Sequence, residues 1–150
     1  MSLKQRIDQD LKTAMLSGDK TLVTTLRGLK STILYGELAK GRREDGLPDA
    51  EVIELLAKEA KKRQESADLY AQGGDKERQQ AELSEKAVIE KYLPKQLDES
   101  ELNAVIDEVI AGKGEVTSQN MGQIIGEVKQ KTFGKADGGR IAAAVRARLG

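Results

Sequence analysis

The chain has 150 residues, 25 of them basic and 25 acidic, with 38% hydrophobic side chains and neither cysteine nor histidine. That composition excludes disulfides, thiolate or imidazole metal ligands and a histidine general base, and a formal net charge of zero excludes the overall basicity of a generic nucleic-acid binder. A chain of this length buries roughly 70% of the surface it exposes when unfolded, enough for one solid core or for a medium core with a small companion.

The first helix is signalled by capping-box spacing at Ser2 and Gln5 and by Leu3, Ile7, Leu11 and Met15 at every fourth position, up to Ser17-Gly18. Asp19 caps a second helix carrying Leu22, Val23, Leu26, Leu29, Ile33 and Leu34, which ends near Lys40 before the polar connection GRREDGLPD. A third starts about Pro48, a residue tolerated in a first turn. It buries Val52, Leu55, Leu56, Ala60, Ala67 and Tyr70 before Gly73-Gly74. Its inward stripe passes through Glu59, Arg63 and Ser66, for which an ion pair with helix 1 or 4 that fixes docking is the structural account. The fourth helix, over 75–92, offers Leu83, Ala87, Ile89 and Tyr92 and is stopped by Pro94.

A new start follows at once. Asp98 and Glu101 have capping-box spacing, Leu97 and Leu102 are placed as a hydrophobic staple, and Leu102, Val105, Ile106, Val109 and Ile110 trace one stripe. Thr117 or Ser118 caps the next helix, whose stripe is Met121, Ile124, Ile125 and Val128, with Gly122 and Gly126 one turn apart on a neighbouring face. Each glycine costs roughly 1 kcal/mol against alanine in a helix, and the pair is expected to admit another backbone or a ligand at close range. Gly134 is expected as the left-handed residue ending that helix. Asp137 caps the last, lined by Ile141, Val145 and Leu149. The expected fold is all-α, with four helices in an N-terminal domain over 1–94 and a small three-helix domain over 95–150.

Charge is unevenly spread. Residues 98–115 carry six acids against Lys113, and residues 129–148 carry six bases against Asp137. Two readings stay open, charge placed for solubility on exposed helix faces or a basic binding surface. No serine lies on a glycine-rich turn beside a buried lysine, no GxxxxGK[ST] loop is present, and the carboxylate pairs fall on polar faces. No catalytic residue, metal ligand or cofactor site is therefore expected. No run approaches the ~18 apolar residues of a membrane span, and MSLKQRIDQDLK lacks the apolar core of a secretory signal, so a cytoplasmic protein without membrane contact is expected.

The segment MGQIIGEVKQKTFGKADGGR at 121–140 resembles the tail domain shared by the GatB subunit of glutamine-dependent tRNA amidotransferases and the stand-alone YqeY family. DLKTAM at 10–15, TLRG at 25–28, KRQES at 62–66 and YLPKQL at 92–97 resemble, in the same order, segments that YqeY proteins carry ahead of the tail. The resemblance spans essentially the whole chain, with Gln123 and Phe133 departing from the tail motif. It implies an accessory of aminoacyl-tRNA metabolism that binds tRNA or accompanies an amidotransferase, possesses no active site of its own, and shares a carbon-nitrogen ligase label only by descent. Residue by residue, it implies Lys129, Lys131, Lys135 and Arg140 as phosphate contacts, with Gly122, Gly126 and Gly138 allowing close backbone approach. The alternative is a helical protein-interaction module that docks a protein partner on the Gly122/Gly126 face without nucleic acid.

Overall fold

The computed structural model describes residues 1–149 and is all-helical, with no strand among the described residues. Its α-helices are α1 (Leu3–Ser17), α2 (Lys20–Ala39), α3 (Asp49–Gln72), α4 (Lys76–Glu90), α5 (Glu99–Ala111), α6 (Met121–Lys131) and α7 (Gly138–Leu149), with a 3-10 turn at Ser118–Asn120 before α6. The chain divides into two compact units, Met1–Leu93 and Pro94–Gly150. No helix is long and apolar enough to cross a membrane.

Local start signals act as expected from their chemistry. Ser2 and Gln5, and Asp98 and Glu101, form reciprocal capping boxes, while Asp19 and Asp75 accept from the backbone N–H groups of Leu22 and Arg78. Each satisfies donors that the first helical turn leaves without intrahelical partners. Gly18 closes α1 at φ 76°, a left-handed conformation that glycine adopts without a Cβ penalty.

The first unit packs Ile7, Leu11 and Ala14 of α1 against Leu26, Leu29 and Ile33 of α2, Val52, Leu56 and Ala60 of α3, and Ile89 and Tyr92 at the end of α4. Met15 lies outside this core and is 52% exposed, its expected place being taken by Ala14. The helix turns by 100° per residue, so a strict four-residue repeat drifts off the buried face by the fourth position. Ala87 is likewise exposed, and Ile89 is the one fully buried side chain of α4 itself.

Two polar clasps tie α1 to its neighbours. Glu37 of α2 has no exposed surface, and both its carboxylate oxygens accept from Lys4 Nζ, at 2.9 and 3.1 Å. A charge buried this completely requires such a partner. In the second, further along α1, the Tyr92 hydroxyl donates to Asp10 Oδ2 at 2.5 Å while the Arg6 guanidinium lies 4.8 Å from the Tyr92 ring centre and donates to the Lys91 carbonyl at 3.0 Å. Burial, then the hydrogen bond to Asp10 and its charge, push the Tyr92 phenol well above its ordinary range, against a lowering influence of Arg6.

Tyr92→Phe is expected to destabilise the first unit by about 1.5–3 kcal/mol, the range for a hydrogen bond to a charged group. Because the folded chain holds the phenolic proton more tightly than the unfolded chain, the stability that Tyr92 contributes is complete below about pH 10 and is lost as pH rises above it. Urea titrations at pH 8 and above pH 10 should therefore show a decline in the parent protein that is smaller in the variant.

Candidate nucleic-acid interface

The second unit buries Leu102, Ile106 and Val109 of α5 against Ile124 and Val128 of α6 and Ile141 and Val145 of α7. This small core sets the angle at which the α6–α7 corner, residues 132–137, emerges. α6 ends at Lys131, and Thr132 caps it, its buried hydroxyl donating to the Val128 carbonyl at 2.7 Å. Gly134 supplies the left-handed conformation, at φ 72°, two residues beyond that cap. Gly134 thus has the left-handed conformation expected of it, one position further from the cap, and the Thr132 hydroxyl doubles the bond that its own backbone N–H makes to the Val128 carbonyl at 2.9 Å. Asp137 Oδ1 then accepts from the Arg140 backbone N–H at 3.0 Å and starts α7.

The corner is held from outside by the segment before α5. Gln96 Nε2 donates to the Gly134 and Pro94 carbonyls at 2.8 and 2.9 Å, the Leu97 N–H donates to the Lys135 carbonyl at 2.8 Å, and the Leu97 carbonyl accepts from Arg140 Nη2 at 2.9 Å. Arg140 is therefore a structural strut as well as a charge. Its partner is a backbone carbonyl, which no residue pattern announces.

The other three expected bases differ in their surroundings. Lys131 Nζ lies 3.2 Å from Glu108 Oε1 on α5. Lys129 and Lys135 are exposed, with no ion-pair partner among the described residues. The Lys129 stem crosses the start of α7, its ε-carbon 3.1 Å and its Nζ 3.4 Å from where a Cβ on Gly138 would stand. The close approach expected at Gly138 is thus made by a side chain of the same chain. At Gly122 and Gly126 nothing among the described residues outside the helix's own local backbone lies within 4 Å of an added Cβ, and both glycines are exposed.

The uneven charge of the sequence closes on itself in space. Besides Lys131 and Glu108, Arg148 Nη2 meets Asp107 Oδ2 at 2.6 Å and Lys113 Nζ meets Glu127 Oε1 at 2.6 Å. Through Glu108 and Asp107, acidic α5 neutralises part of basic α6 and α7, while Lys113, past the end of α5, pairs an acid of α6. Phe133 is the one aromatic residue of residues 94–150 and is 41% exposed, so a row of stacked bases has no platform here.

A second polar assembly lies in the first unit. Arg63 of α3 contacts Glu59, Glu82 and Glu85 at 3.3, 3.3 and 3.4 Å, and Lys62 reaches Glu59 at 3.4 Å. The expected ion pair is thus made with α4. Burial alone would lower the Arg63 guanidinium, but hydrogen bonds to Glu82 and Glu59 and the charge of Glu85 raise it on balance. Arg63, Glu59 and Glu85 edge a cleft of about 170 Å³ whose far wall is Thr24, Thr25, Gly28 and Thr32 of α2. That volume is below the roughly 300–1,000 Å³ of ordinary small-molecule pockets, and Arg63 is already shared among carboxylates. The cluster therefore reads as the link between α3 and α4.

These placements separate structural from unengaged groups by stability. Gly122→Ala and Gly126→Ala are each expected to stabilise the second unit by up to about 1 kcal/mol, the helix-propensity difference with no clash to offset it. Arg140→Ala should destabilise by about 1–3 kcal/mol through loss of the charged hydrogen bond to Leu97, and Lys135→Ala should change little. Thermal melts of the four variants check the order; an Arg140→Ala protein as stable as the parent would contradict the strut.

A family model described as Yqey-like protein matches residues 4–149. A search of curated proteins finds no match.

Proposed function

We propose, from the premise that the chain belongs to the YqeY family over nearly its whole length, that it is a tRNA-binding accessory protein whose contact surface is the α6–α7 corner. The observation that carries this reading is the pair Lys129 and Lys135, two exposed ammonium groups without carboxylate partners among the described residues, at a corner braced by backbone hydrogen bonds. Unpaired bases at a rigid turn suit phosphate contact, which positions a nucleic acid without reading its sequence. Arg140 retains further guanidinium donors beside its bond to the Leu97 carbonyl. Recognition is then of backbone shape, the usual mode for folded RNA. In this reading residues 95–150 are the RNA-binding domain, residues 1–94 its helical companion, the setting is cytoplasmic, and any amidotransferase chemistry belongs to a partner.

The open face at Gly122 and Gly126 favours a second reading, a module that docks a partner helix there. Filter binding of bulk tRNA separates the two. With Lys129, Lys135 and Arg140 each neutralising one phosphate, log affinity should fall against log salt with a slope of roughly −2 to −3. A Lys129→Glu, Lys135→Glu variant should lose about an order of magnitude or more in affinity at low salt while keeping its helical signal. Unchanged tRNA affinity in that folded variant would remove the corner as the contact surface and leave the docking module as the better account.

A further inference from the structure

We infer that Asp107 and Glu108, neighbours on α5, limit the positive charge that the second unit offers a nucleic acid by occupying two further cations, Lys131 and Arg148, with carboxylates; this rests on the tRNA-binding reading above. Asp107 holds Arg148 of α7 at 2.6 Å and Glu108 holds Lys131 of α6 at 3.2 Å, with all four side chains between 41 and 69% exposed. Neither carboxylate serves the core or a cap, since Asp98 and Glu101 cap α5. Exposed pairs of this kind contribute little to stability and exchange readily. Their effect falls on the surface potential and on what a phosphate must displace.

A phosphate that takes Lys131 or Arg148 must first break its contact with Glu108 or Asp107 and then meets the freed carboxylate at close range, so a carboxylate-held base is engaged less often than a free one. A base that is not engaged releases no counterion from the nucleic acid and adds nothing to the salt dependence. In the parent protein two of the tail's bases are therefore largely silent.

The test is an Asp107→Asn, Glu108→Gln variant of the full chain in filter binding with bulk tRNA from about 50 to 200 mM salt. It is paired with a control, Glu54→Gln, Glu65→Gln, which changes net charge equally at two exposed carboxylates that have no ion-pair partner among the described residues. The variant should bind roughly three- to tenfold tighter at the lowest salt, with a slope steeper by about one to two units. The control should stay within about twofold of the parent, and helical signal should be unchanged in all three. Tight binding by the variant where the parent binds undetectably supports the inference equally. Equal affinity and slope in parent and variant, both binding tRNA, overturn it and leave the tRNA reading standing, as does a control that tightens as much as the variant. Failure of parent and variant alike to bind tRNA overturns both. If the double variant does not melt cooperatively, Glu108→Gln alone carries an expected change of about one unit in slope.

Discussion

The second unit depends on the two-sided hydrogen bonding of Leu97, whose N–H donates to the Lys135 carbonyl and whose own carbonyl accepts from Arg140. A unit of this size lies near the lower limit for independent folding, and its fully buried set is short, seven side chains from three helices. With so little apolar burial, the corner between α6 and α7 is not held by the core alone. The 94–97 segment behaves as a strap that turns backbone polarity, otherwise a cost at a partly buried turn, into the bonds that fix the turn. Gln96 strengthens it by spanning the Pro94 and Gly134 carbonyls. Lys129 and Lys135 can then project from a defined frame without taking part in holding it.

Charge in this unit is arranged as a circuit. The acids cluster ahead of the bases in sequence, yet folding brings α5 beside α6 and α7 and joins them through Lys131 with Glu108 and Arg148 with Asp107, while Lys113, two residues past α5, meets Glu127 of α6. Each exposed pair contributes at most about 1 kcal/mol, so these contacts do not explain why the helices pack. They explain why a chain of zero net charge presents a local surface that is only partly basic. The separation of acids from bases along the chain overstates the field that any partner meets.

What was legible was what is local. Ser2, Asp19, Asp98 and Asp137 cap helices because a side-chain oxygen needs only the next two or three N–H groups, all supplied by adjacent sequence. The apolar stripe of α6 was legible for the same reason. The burial of Thr132 at its end was not, since it is a tertiary fact. Glu37 reads as an ordinary surface acid at the end of α2, and only the arrival of Lys4 from 33 residues upstream makes its burial tolerable. The four bases of the expected site look equivalent as letters. Their partners, a carboxylate for Lys131 and a carbonyl for Arg140, come from other elements, and Lys129 and Lys135 have no ion-pair partner among the described residues. The glycine pair was legible as an anomaly of propensity, and the described residues place nothing against either position that would require glycine.

In the first unit, polar contacts take over where apolar burial is thin. α4 contributes Ile89 as its fully buried side chain, too little to dictate how a 15-residue helix rotates against α3. The Arg63 cluster supplies that information, because one guanidinium can reach Glu59 on its own helix and both Glu82 and Glu85 on α4 in only a narrow range of rotations. Its bonds are long and the site is partly solvated, so its net stabilisation is small, but the cost of any rotation that strands three carboxylates is not. Lys86 adds a second check by reaching Gln64 at 2.7 Å. The far end of the same helix is fixed by Tyr92 against Asp10 and Arg6, one residue before the first unit ends at Leu93. α4 is therefore registered by polar contacts in its middle turns and just beyond its end, with modest apolar contact beside them, which is how a helix this polar keeps a single orientation.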